Sequence, residues 1–326
     1  MKVIKVTTKN LLPSRKRAEK RRKRRIALVA VLLLISTLLC LFFYIKYRKS
    51  KVPEPIPVSA DAAAANDFFI AVLDVGQGSC TVIGADGEYM MVDGGTREAT
   101  KSIEAFLDEN RIDSLKYIVA THPHADHIGS LSEIISTYSV GEVLHNGVKL
   151  DTSGCSKLFT AIEKRGVKQS VPEEGSTYTL GEGSFTIIST GLKDAENVND
   201  TSLCLRFEYH GKSVMITGDA GRDAENQILG GSFKKKLKSD ILIAGHHGSS
   251  DANSEAFIKA VSPREAVISC GKDNDYGHPH REVISLFEKY RIEYRRTDTD
   301  GTVIYAADKE GGLYRIGGKE VYVGIQ

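Results

Sequence analysis

The sequence predicts an α/β domain with helices outside its β-sheets, preceded by a single transmembrane helix. Three observations predict this. A run of 20 uncharged residues follows a basic tail, short β-rich runs alternate with helical segments from Phe68 onward, and 326 residues with 41% hydrophobic content can bury a full core. The predicted parts are a basic tail at 1–25, a transmembrane helix at 26–45, a linker at 46–67 and a folded domain at 68–326.

The N-terminal apolar run is long enough to cross a bilayer, because a helix of its length spans about 30 Å. A secretory signal is the competing interpretation, but its apolar core is shorter and a small-residue cleavage site follows it closely. Here the basic segment "KYRKSK" follows instead. Nine lysines and arginines fall in 15–25 against four in 46–51, which predicts a cytoplasmic N-terminus and an extracellular domain.

Charge is distributed unevenly along the chain. The net charge of +2 combines the basic tail with an acidic remainder, since residues 61–326 hold 28 lysines and arginines against 40 aspartates and glutamates. Such a domain is a poor general match for a phosphate backbone, which favours basic surfaces. The segment "FKKKLK" at 233–238 is either a local basic strip or an ordinary solvated loop.

Strands and helices are predicted in alternation after the Pro- and Ala-rich linker. Short β-rich runs bounded by glycine-containing turns predict strands, and apolar residues at helical spacing predict helices. The predicted strands are 68–75, 80–85, 88–93, 115–120, 184–190, 201–211, 212–218, 240–245, 265–270, 302–307 and 313–317. The predicted helices are 98–112, 222–229, 253–261 and 281–291.

Seven of the nine histidines lie in three clusters, each of which follows a predicted strand. Such positions commonly carry the ligands and catalytic groups of α/β domains. In "THPHADH", His122 and His124 alternate in an extended segment and project to the same side, whereas Asp126 and His127 begin a helix. Four such side chains in two orientations suit a pair of metal ions, because packing alone gives no reason to collect them.

Later strand ends offer further candidates. Asp219 is a possible bridging carboxylate, and its alternative role is to cap the following helix. His246 and His247 also follow a strand, and neighbours on an extended segment point to opposite sides. Only one of the two is therefore expected to bind metal. His278 precedes a helix whose N-terminus favours a phosphate group, the alternative being a loop histidine without a role.

Six motifs in order carry a family resemblance: "DVGQGS", "VDGG", "THPHADHIGS", "TGDA", "HHGSS" and "YGHP". Together they resemble the metallo-β-lactamase fold hydrolases, and among them the ComEC-type branch, whose members carry such a domain at the end of a DNA-uptake channel protein. The resemblance covers residues 68 to about 310. It implies a four-layer αβ/βα sandwich, with helices on both outer faces of two stacked sheets and a dinuclear metal centre at one sheet edge.

The resemblance also implies which residues hold the two metals. The implied ligands are His122, His124, Asp126, His127, Asp219 and His246. The first two histidines would bind the first metal, Asp126 and His127 the second, and Asp219 would bridge them. His246 would complete the second site because it comes first after its strand.

The implied catalytic residues overlap with this set. They are Asp126, Asp219, His247 and His278. His247 is expected beside the metals as a proton donor or substrate contact, and His278 as a second candidate for protonating the leaving oxygen. Asp93 in "VDGG" is expected to hydrogen-bond a ligand and orient it.

One region departs from the wider family. Many of its members supply another metal-binding histidine before the bridging aspartate, where this chain has Asn199 and Asp200 and no histidine. The ComEC-type branch shares this replacement. The first metal is left with fewer strong ligands, so exchangeable occupancy is expected. The two divalent ions are zinc or manganese, and no nucleotide cofactor is expected.

Hydrolysis is the chemistry that such a pair of cations performs. They lower the pKa of a bridging water and neutralise the charge that develops on the attacked group. The resemblance favours a membrane-anchored extracellular phosphodiesterase or nuclease, with DNA as a candidate substrate in a context of DNA uptake and competence. The alternatives are a cell-envelope phosphoesterase that acts on a small esterified polar group and, from another class, a metal-stabilised binding protein without turnover.

Overall fold

The structure is a computed structural model that describes residues 67–307, 309 and 312–316, with residues 22–24, 26–28, 30, 33, 35–37 and 39–40 near the N-terminus. The chain divides into two compact units, Met1–Lys51 and Val52–Gln326. The described residues of the first unit are helical.

The predicted transmembrane helix is only partly covered by the structure. Half of the positions in 26–45 lie outside the described residues, as does the predicted linker up to residue 66. Within the described part of the chain, no helix combines the length and the apolar character needed to cross a bilayer. The membrane anchor and the predicted domain boundaries stay predictions.

Fifteen strands and eight α-helices make up the described part of the second unit. The strands are β1 (Phe68–Val72), β2 (Thr81–Ala85), β3 (Glu88–Val92), β4 (Ser114–Ala120), β5 (Ser139–His145), β6 (Lys168–Ser170), β7 (Thr177–Leu180), β8 (Gly183–Ser189), β9 (Cys204–Tyr209), β10 (Lys212–Ile216), β11 (Ile241–Ile243), β12 (Glu265–Ile268), β13 (Glu293–Arg296), β14 (Val303–Ala307) and β15 (Leu313–Ile316). The helices are α1 (Thr100–Glu109), α2 (Ala125–Ile128), α3 (Leu131–Thr137), α4 (Ser153–Arg165), α5 (Arg222–Gly230), α6 (Glu255–Val261), α7 (Arg281–Tyr290) and α8 (Thr297–Asp300).

The strands form two mixed sheets. The eight-stranded sheet has the order β15-β14-β1-β2-β3-β4-β5-β6, and the seven-stranded sheet has the order β13-β12-β11-β10-β9-β8-β7. Strands β3 to β6 run parallel to one another, and so do β10 to β13. Each parallel set is linked by helical crossovers, as parallel strands require.

Side-chain alternation along the strands creates three apolar layers. In β1, Phe69 and Ala71 pack with the helices outside the first sheet, whereas Phe68, Ile70 and Val72 face the second sheet. A third cluster packs the outer face of the second sheet against α5, α6 and α7. The predicted α/β fold with helices outside two sheets is therefore confirmed, because both sheets bury both of their faces.

Several elements between residues 131 and 183 were not predicted. They are α3, α4, β5, β6 and β7, and β13 near the C-terminus was missed as well. Strands β6 and β13 contain no fully buried residue, so their sequences lack an apolar signal. Helix α4, in contrast, carried recognisable capping residues at both ends. The Thr152 hydroxyl accepts a hydrogen bond from Cys155 N, and Gly166 ends the helix in the left-handed conformation.

Candidate metal centre

The predicted site residues follow the carboxyl ends of strands in both sheets. Asp93 follows β3, the segment 121–127 follows β4, Asp219 follows β10 and the turn Gly245–Gly248 follows β11. Because parallel strands place their carboxyl ends at one edge of a sheet, these loops meet at one edge of the two packed sheets. The backbone joins them directly, since Leu203 N donates to Thr121 O at 2.9 Å and His246 N donates to Gly218 O at 3.1 Å.

The histidine-rich loop leaves β4 in an extended conformation and then turns into the short helix α2. His124 is the residue before this helix and has φ −72° and ψ 150°. The His122 and His124 rings are 4.8 Å apart, and His122 Nε2 lies 3.1 Å from His124 Nδ1. The expected projection of these two side chains to one side is therefore observed.

Asp93 holds the loop in place through three hydrogen bonds. It is fully buried, and its carboxylate accepts from Thr121 N at 2.8 Å, from the Thr121 hydroxyl at 2.8 Å and from His127 Nδ1 at 2.7 Å. Since Nδ1 of His127 is the donor, its Nε2 lone pair points toward the other strand ends. The predicted orienting role of Asp93 is confirmed.

Asp219 lies at the centre of the histidines. Its Oδ1 is 3.1 Å from His127 Nε2. Its Oδ2 is 3.8 Å from His122 Nε2, 3.7 Å from His247 Nε2 and 3.8 Å from His246 Nε2. Asp219 N is held by the Ser202 hydroxyl at 3.1 Å, while its side chain caps no helix, because α5 has Gly221 as its N-cap residue.

The expectation that His246 and His247 continue an extended segment is wrong. Both adopt left-handed backbone conformations, with φ of 49° and 54°, in the turn Gly245–Gly248. Such conformations are strained for non-glycine residues and are typical of functional sites. Gly248 continues the turn with φ +79°, where a Cβ would come within 2.7 Å of Pro279 Cβ. The alternation rule therefore does not apply here, and both imidazoles face Asp219.

The turn brings His247 deeper into the site than His246. His247 is 3% exposed, its Nε2 is 3.3 Å from Asp126 Oδ2, and its Nδ1 donates to Ser269 O at 2.9 Å. His246 is half-buried, and its Nε2 lies 3.2 Å from the Asn199 amide nitrogen. The geometry thus favours His247 where the family order suggested His246, because the left-handed turn rotates the second histidine inward.

Four potential ligand atoms lie within 4.8 Å of one another. They belong to Asp126, His127, Asp219 and His247. The Nε2 atoms of His127 and His247 are buried, and the carboxylate oxygens 3.1 and 3.3 Å from them are not placed for a hydrogen bond. Buried polar atoms without a partner are costly unless they bind something, and two imidazoles with two carboxylates are a ligand set that suits a divalent cation. The residues therefore fit a metal ion.

The histidines and carboxylates of this cluster shift one another's pKa values. Burial by itself disfavours the charged forms, but the carboxylates of Asp219 and Asp93 hold the pKa of His127 well above its ordinary value. Asp219 similarly outweighs burial and raises the pKa of His247. Conversely, the neighbouring imidazolium groups lower the pKa of Asp219 well below its ordinary value against the effect of burial. Protons on the histidines thus balance the buried carboxylates.

A cavity of about 390 Å³ opens over the cluster. It is lined by Gln77, His124, Ala125, Asp126, Asn199, Asp219, His246, His247, Tyr276 and His278. His122 and His127 lie beneath this surface and are buried. All the predicted metal and catalytic residues therefore meet in one place.

The "YGHP" loop forms one wall of this cavity. His278 is buried, and the Gln77 amide nitrogen lies 3.4 Å from its Nδ1. Tyr276 stacks on the His278 ring with centroids 5.5 Å apart and keeps 66% of its surface exposed. Burial and the nearby His247 and His246 lower the pKa of His278 to about 4, so its ring is neutral at pH 7.

The residues in place of the family's additional histidine have different roles. Asn199 faces the cavity, and its side-chain oxygen is buried without a hydrogen bond. Asp200 accepts a hydrogen bond from Gly221 N at 2.9 Å and so holds the turn behind Asp219. The expected exchangeable occupancy of the first metal is consistent with this region but stays a prediction.

Sequence reasoning assigned no role to three residues around the cavity. Gln77 joins two loops, since its Oε1 accepts from Gly271 N at 2.9 Å. His280 accepts a hydrogen bond from Ser250 N at 2.9 Å and thereby ties the "HHGSS" turn to the "YGHP" loop. Tyr276 forms the rim. The motif "DVGQGS" contains Gln77 and "YGHP" contains Tyr276, but a motif does not reveal which of its residues face the cavity, and His280 lies just beyond the second motif.

Comparison with known proteins agrees with this geometry. The sequence model of the metallo-beta-lactamase superfamily matches residues 73–272, which is more than half of the chain. The chain belongs to this superfamily. Among solved structures, the metallo-beta-lactamase fold protein YhfI from Bacillus subtilis superposes with a TM-score of 0.50 at 14% identity, covering 77% of this chain and 100% of that one.

Curated relatives of this metallo-beta-lactamase protein include competence proteins. ComE operon protein 3 of Bacillus subtilis (strain 168) is 28% identical over 76% of this chain and 34% of its own length. Competence protein ComA of Neisseria gonorrhoeae is 26% identical over 84% of this chain and 36% of its own length. The resemblance to the ComEC-type branch is therefore confirmed. This chain spans only about a third of the length of these relatives.

We expect His247→Ala to weaken metal binding more than His246→Ala. His247 contributes a buried nitrogen that makes no hydrogen bond and lies 3.3 Å from Asp126 Oδ2, whereas His246 is half-buried and already contacts Asn199. Loss of one ligand should reduce zinc or manganese affinity by at least tenfold, on the scale seen when metal-site residues are changed. Calorimetric titration of both variants measures the difference. Equal losses in the two variants would contradict the assignment of His247.

We also expect metal affinity to increase as the pH rises. Metal ions bind neutral imidazole, and the pKa values of His127 and His247 are both raised in the metal-free protein. Protons must therefore leave when the metal enters, at pH values above the ordinary histidine range. Titrations in buffers with different heats of ionisation would measure this release. A binding enthalpy that is independent of the buffer would refute it.

Proposed function

We propose that this protein is a metal-dependent phosphodiesterase that acts on nucleic acid at the cell surface. The single observation that carries the proposal is the cluster of Asp126, His127, Asp219 and His247 at the base of an open cavity. Membership of the metallo-beta-lactamase superfamily supports hydrolysis, since its members are in general metal-dependent hydrolases.

Two divalent ions, zinc or manganese, would be held by the predicted set with His247 in place of His246. His122 and His124 would hold one ion, Asp126, His127 and His247 the other, and Asp219 would contact both. When bound, such ions supply Lewis acidity toward a phosphoryl oxygen and activation of water near neutral pH. The protein supplies the fixed positions, because Asp93 and Ser269 O each hold the distal nitrogen of one ligand histidine.

The residues above the cluster would bind and orient the substrate. His278 is neutral at pH 7 and therefore donates a hydrogen bond to a phosphate oxygen rather than a proton to the leaving group. His246 is half-buried and faces the cavity, so it can contact the leaving oxygen while His247 is occupied by metal. His247 thus takes the role of metal ligand that the family order suggested for His246, and His246 takes the role of substrate contact.

A nucleic-acid substrate is supported by the competence-related relatives and by the rim of the cavity. Tyr276 projects an exposed aromatic face beside His278, where a base next to the scissile phosphate can stack on it. A cell-envelope phosphoesterase remains the second candidate, because the predicted single-pass anchor and extracellular domain would place the site close to the membrane.

We expect Asp219→Asn to abolish hydrolysis of bis(p-nitrophenyl) phosphate. The substitution removes the carboxylate charge that all four neighbouring histidines approach. Asp223→Asn is the matched control, since it changes an exposed residue four positions later. A chelator should inhibit the parent and the control while thermal melting still reports a folded domain. Parental activity in a folded Asp219→Asn variant would disprove the proposed reaction.

We expect Tyr276→Ala to impair hydrolysis of an oligonucleotide but not of methyl phosphodiesters. Base stacking on an aromatic ring contributes about 1–3 kcal/mol, which corresponds to a fivefold or greater rise in KM. Tyr276→Phe keeps the ring and should behave like the parent. The ratio of kcat/KM for the two substrates is the readout. An unchanged ratio in Tyr276→Ala would favour the phosphoesterase that acts on a small polar group.

A further inference from the structure

A second groove, of about 980 Å³, lies in the same domain away from the metal centre. Its walls come from the hairpin between β9 and β10, the segment 235–240, the connection 262–264 and Arg291 after α7. We call it the basic groove. The lysines and arginines that line it are Arg206, Lys212, Lys235, Lys236, Lys238, Arg264 and Arg291.

The positive charge of the basic groove is largely uncompensated. Its two acids are Glu208, which pairs with Arg206 at 2.5 Å, and Asp240, whose Oδ2 accepts hydrogen bonds from Ser213 N and Oγ. The cations that form no ion pair with any described residue are Lys212, Lys235, Lys236, Lys238 and Arg291. Collecting them in one concave surface of an otherwise acidic domain costs free energy through repulsion. A polyanionic ligand would relieve it.

The basic groove and the metal centre lie at opposite ends of the same parallel strands. Lys212 begins β10 and Asp219 follows its end, while Asp240 precedes β11 and His247 follows it. At about 3.3 Å per residue, the seven residues from Lys212 to Asp219 separate the two sites by roughly 20 Å. The groove therefore cannot contact the phosphate that is being cleaved, and only an extended ligand reaches from one site to the other.

The lining chemistry selects a phosphate backbone. Pro263 is the only apolar side chain among the lining residues, and none is aromatic. Insertion into a membrane surface needs apolar side chains in addition to basic ones, and a concave groove does not present its cations to a flat anionic bilayer. Base recognition needs stacking surfaces or groups directed at base edges. Lysines and arginines that are accompanied neither by apolar side chains nor by stacking surfaces are suited to sequence-independent contacts with phosphate groups.

We propose that the basic groove is a non-catalytic binding site for the phosphodiester backbone of a nucleic acid. Its cations hold the polymer by charge while the metal centre acts on another part of it. The choice of a nucleic acid rests on the proposed function, but binding to the groove requires neither metal nor catalysis. It would give an acidic domain a local surface on which a polyanion is retained.

The test compares two triple variants of the full chain in nonionic detergent. K235Q/K236Q/K238Q removes charge from the groove, and K101Q/K157Q/K164Q removes the same charge from exposed lysines of α1 and α4. Binding of a fluorescent 20-nucleotide oligonucleotide is followed by anisotropy in the presence of a chelator, over a range of salt concentrations. Hydrolysis of bis(p-nitrophenyl) phosphate by the metal-loaded protein is measured in parallel.

We expect only the groove variant to lose affinity for the oligonucleotide. Its affinity at 50 mM salt should fall by tenfold or more, and the dependence of log affinity on log salt should become shallower by about 2, as expected for three lost phosphate contacts. The control variant should bind like the parent, and both should hydrolyse the small diester normally. Equal affinities of the two variants would overturn the proposal, as would a parent protein that does not bind the oligonucleotide. Loss of small-diester hydrolysis in Asp219→Asn tests the catalytic proposal alone.

Discussion

A buried carboxylate surrounded by imidazoles determines the organisation of this domain. Asp219 is 3% exposed, and its oxygens lie 3.1 to 3.8 Å from four histidines that come from two different loops. An isolated charge at such a position would be strongly destabilising, because desolvation costs several kcal/mol even after relaxation. The charge therefore requires cationic partners, either protons on the histidines or metal ions. The loops that follow β4 and β11 provide the histidines.

The surrounding backbone maintains this arrangement at some cost. Asp93, His246 and His247 all have positive φ angles, which non-glycine residues rarely adopt. Hydrogen bonds compensate for the strain, since Asp93 accepts three and His247 donates to Ser269 O. The result is that the rings of His127 and His247 are held in fixed directions. Preorganisation of this kind lets a site bind a charged group without reorganising during the reaction.

Charge is also separated across the domain. The candidate metal centre concentrates carboxylates and histidines at one end of the parallel strands, whereas the lysines and arginines of the basic groove collect at the other end. The net negative charge of residues 61–326 does not reveal this separation. In the described part of the chain, a polyanion would meet attractive surfaces at the metal ions and at the basic groove. The proposed action on a phosphodiester polymer is therefore compatible with an acidic domain, provided that the polymer is long enough to reach both.

The sequence alone determined the α/β architecture, the family and a set of candidate site residues that the fold brings to one cavity, because strand alternation and clusters such as "HPHADH" are local signals. It missed the edge strands β6 and β13, which have no fully buried residue and form only by pairing with strands that are distant in sequence. It could not decide between His246 and His247, since that choice depends on a left-handed turn held by contacts with Gly218 and Pro279. Nor could it distinguish a basic groove from a solvated lysine loop. Only tertiary folding brings Arg206, Lys212 and Arg291 next to those lysines, because the first two belong to the β9–β10 hairpin and Arg291 follows α7.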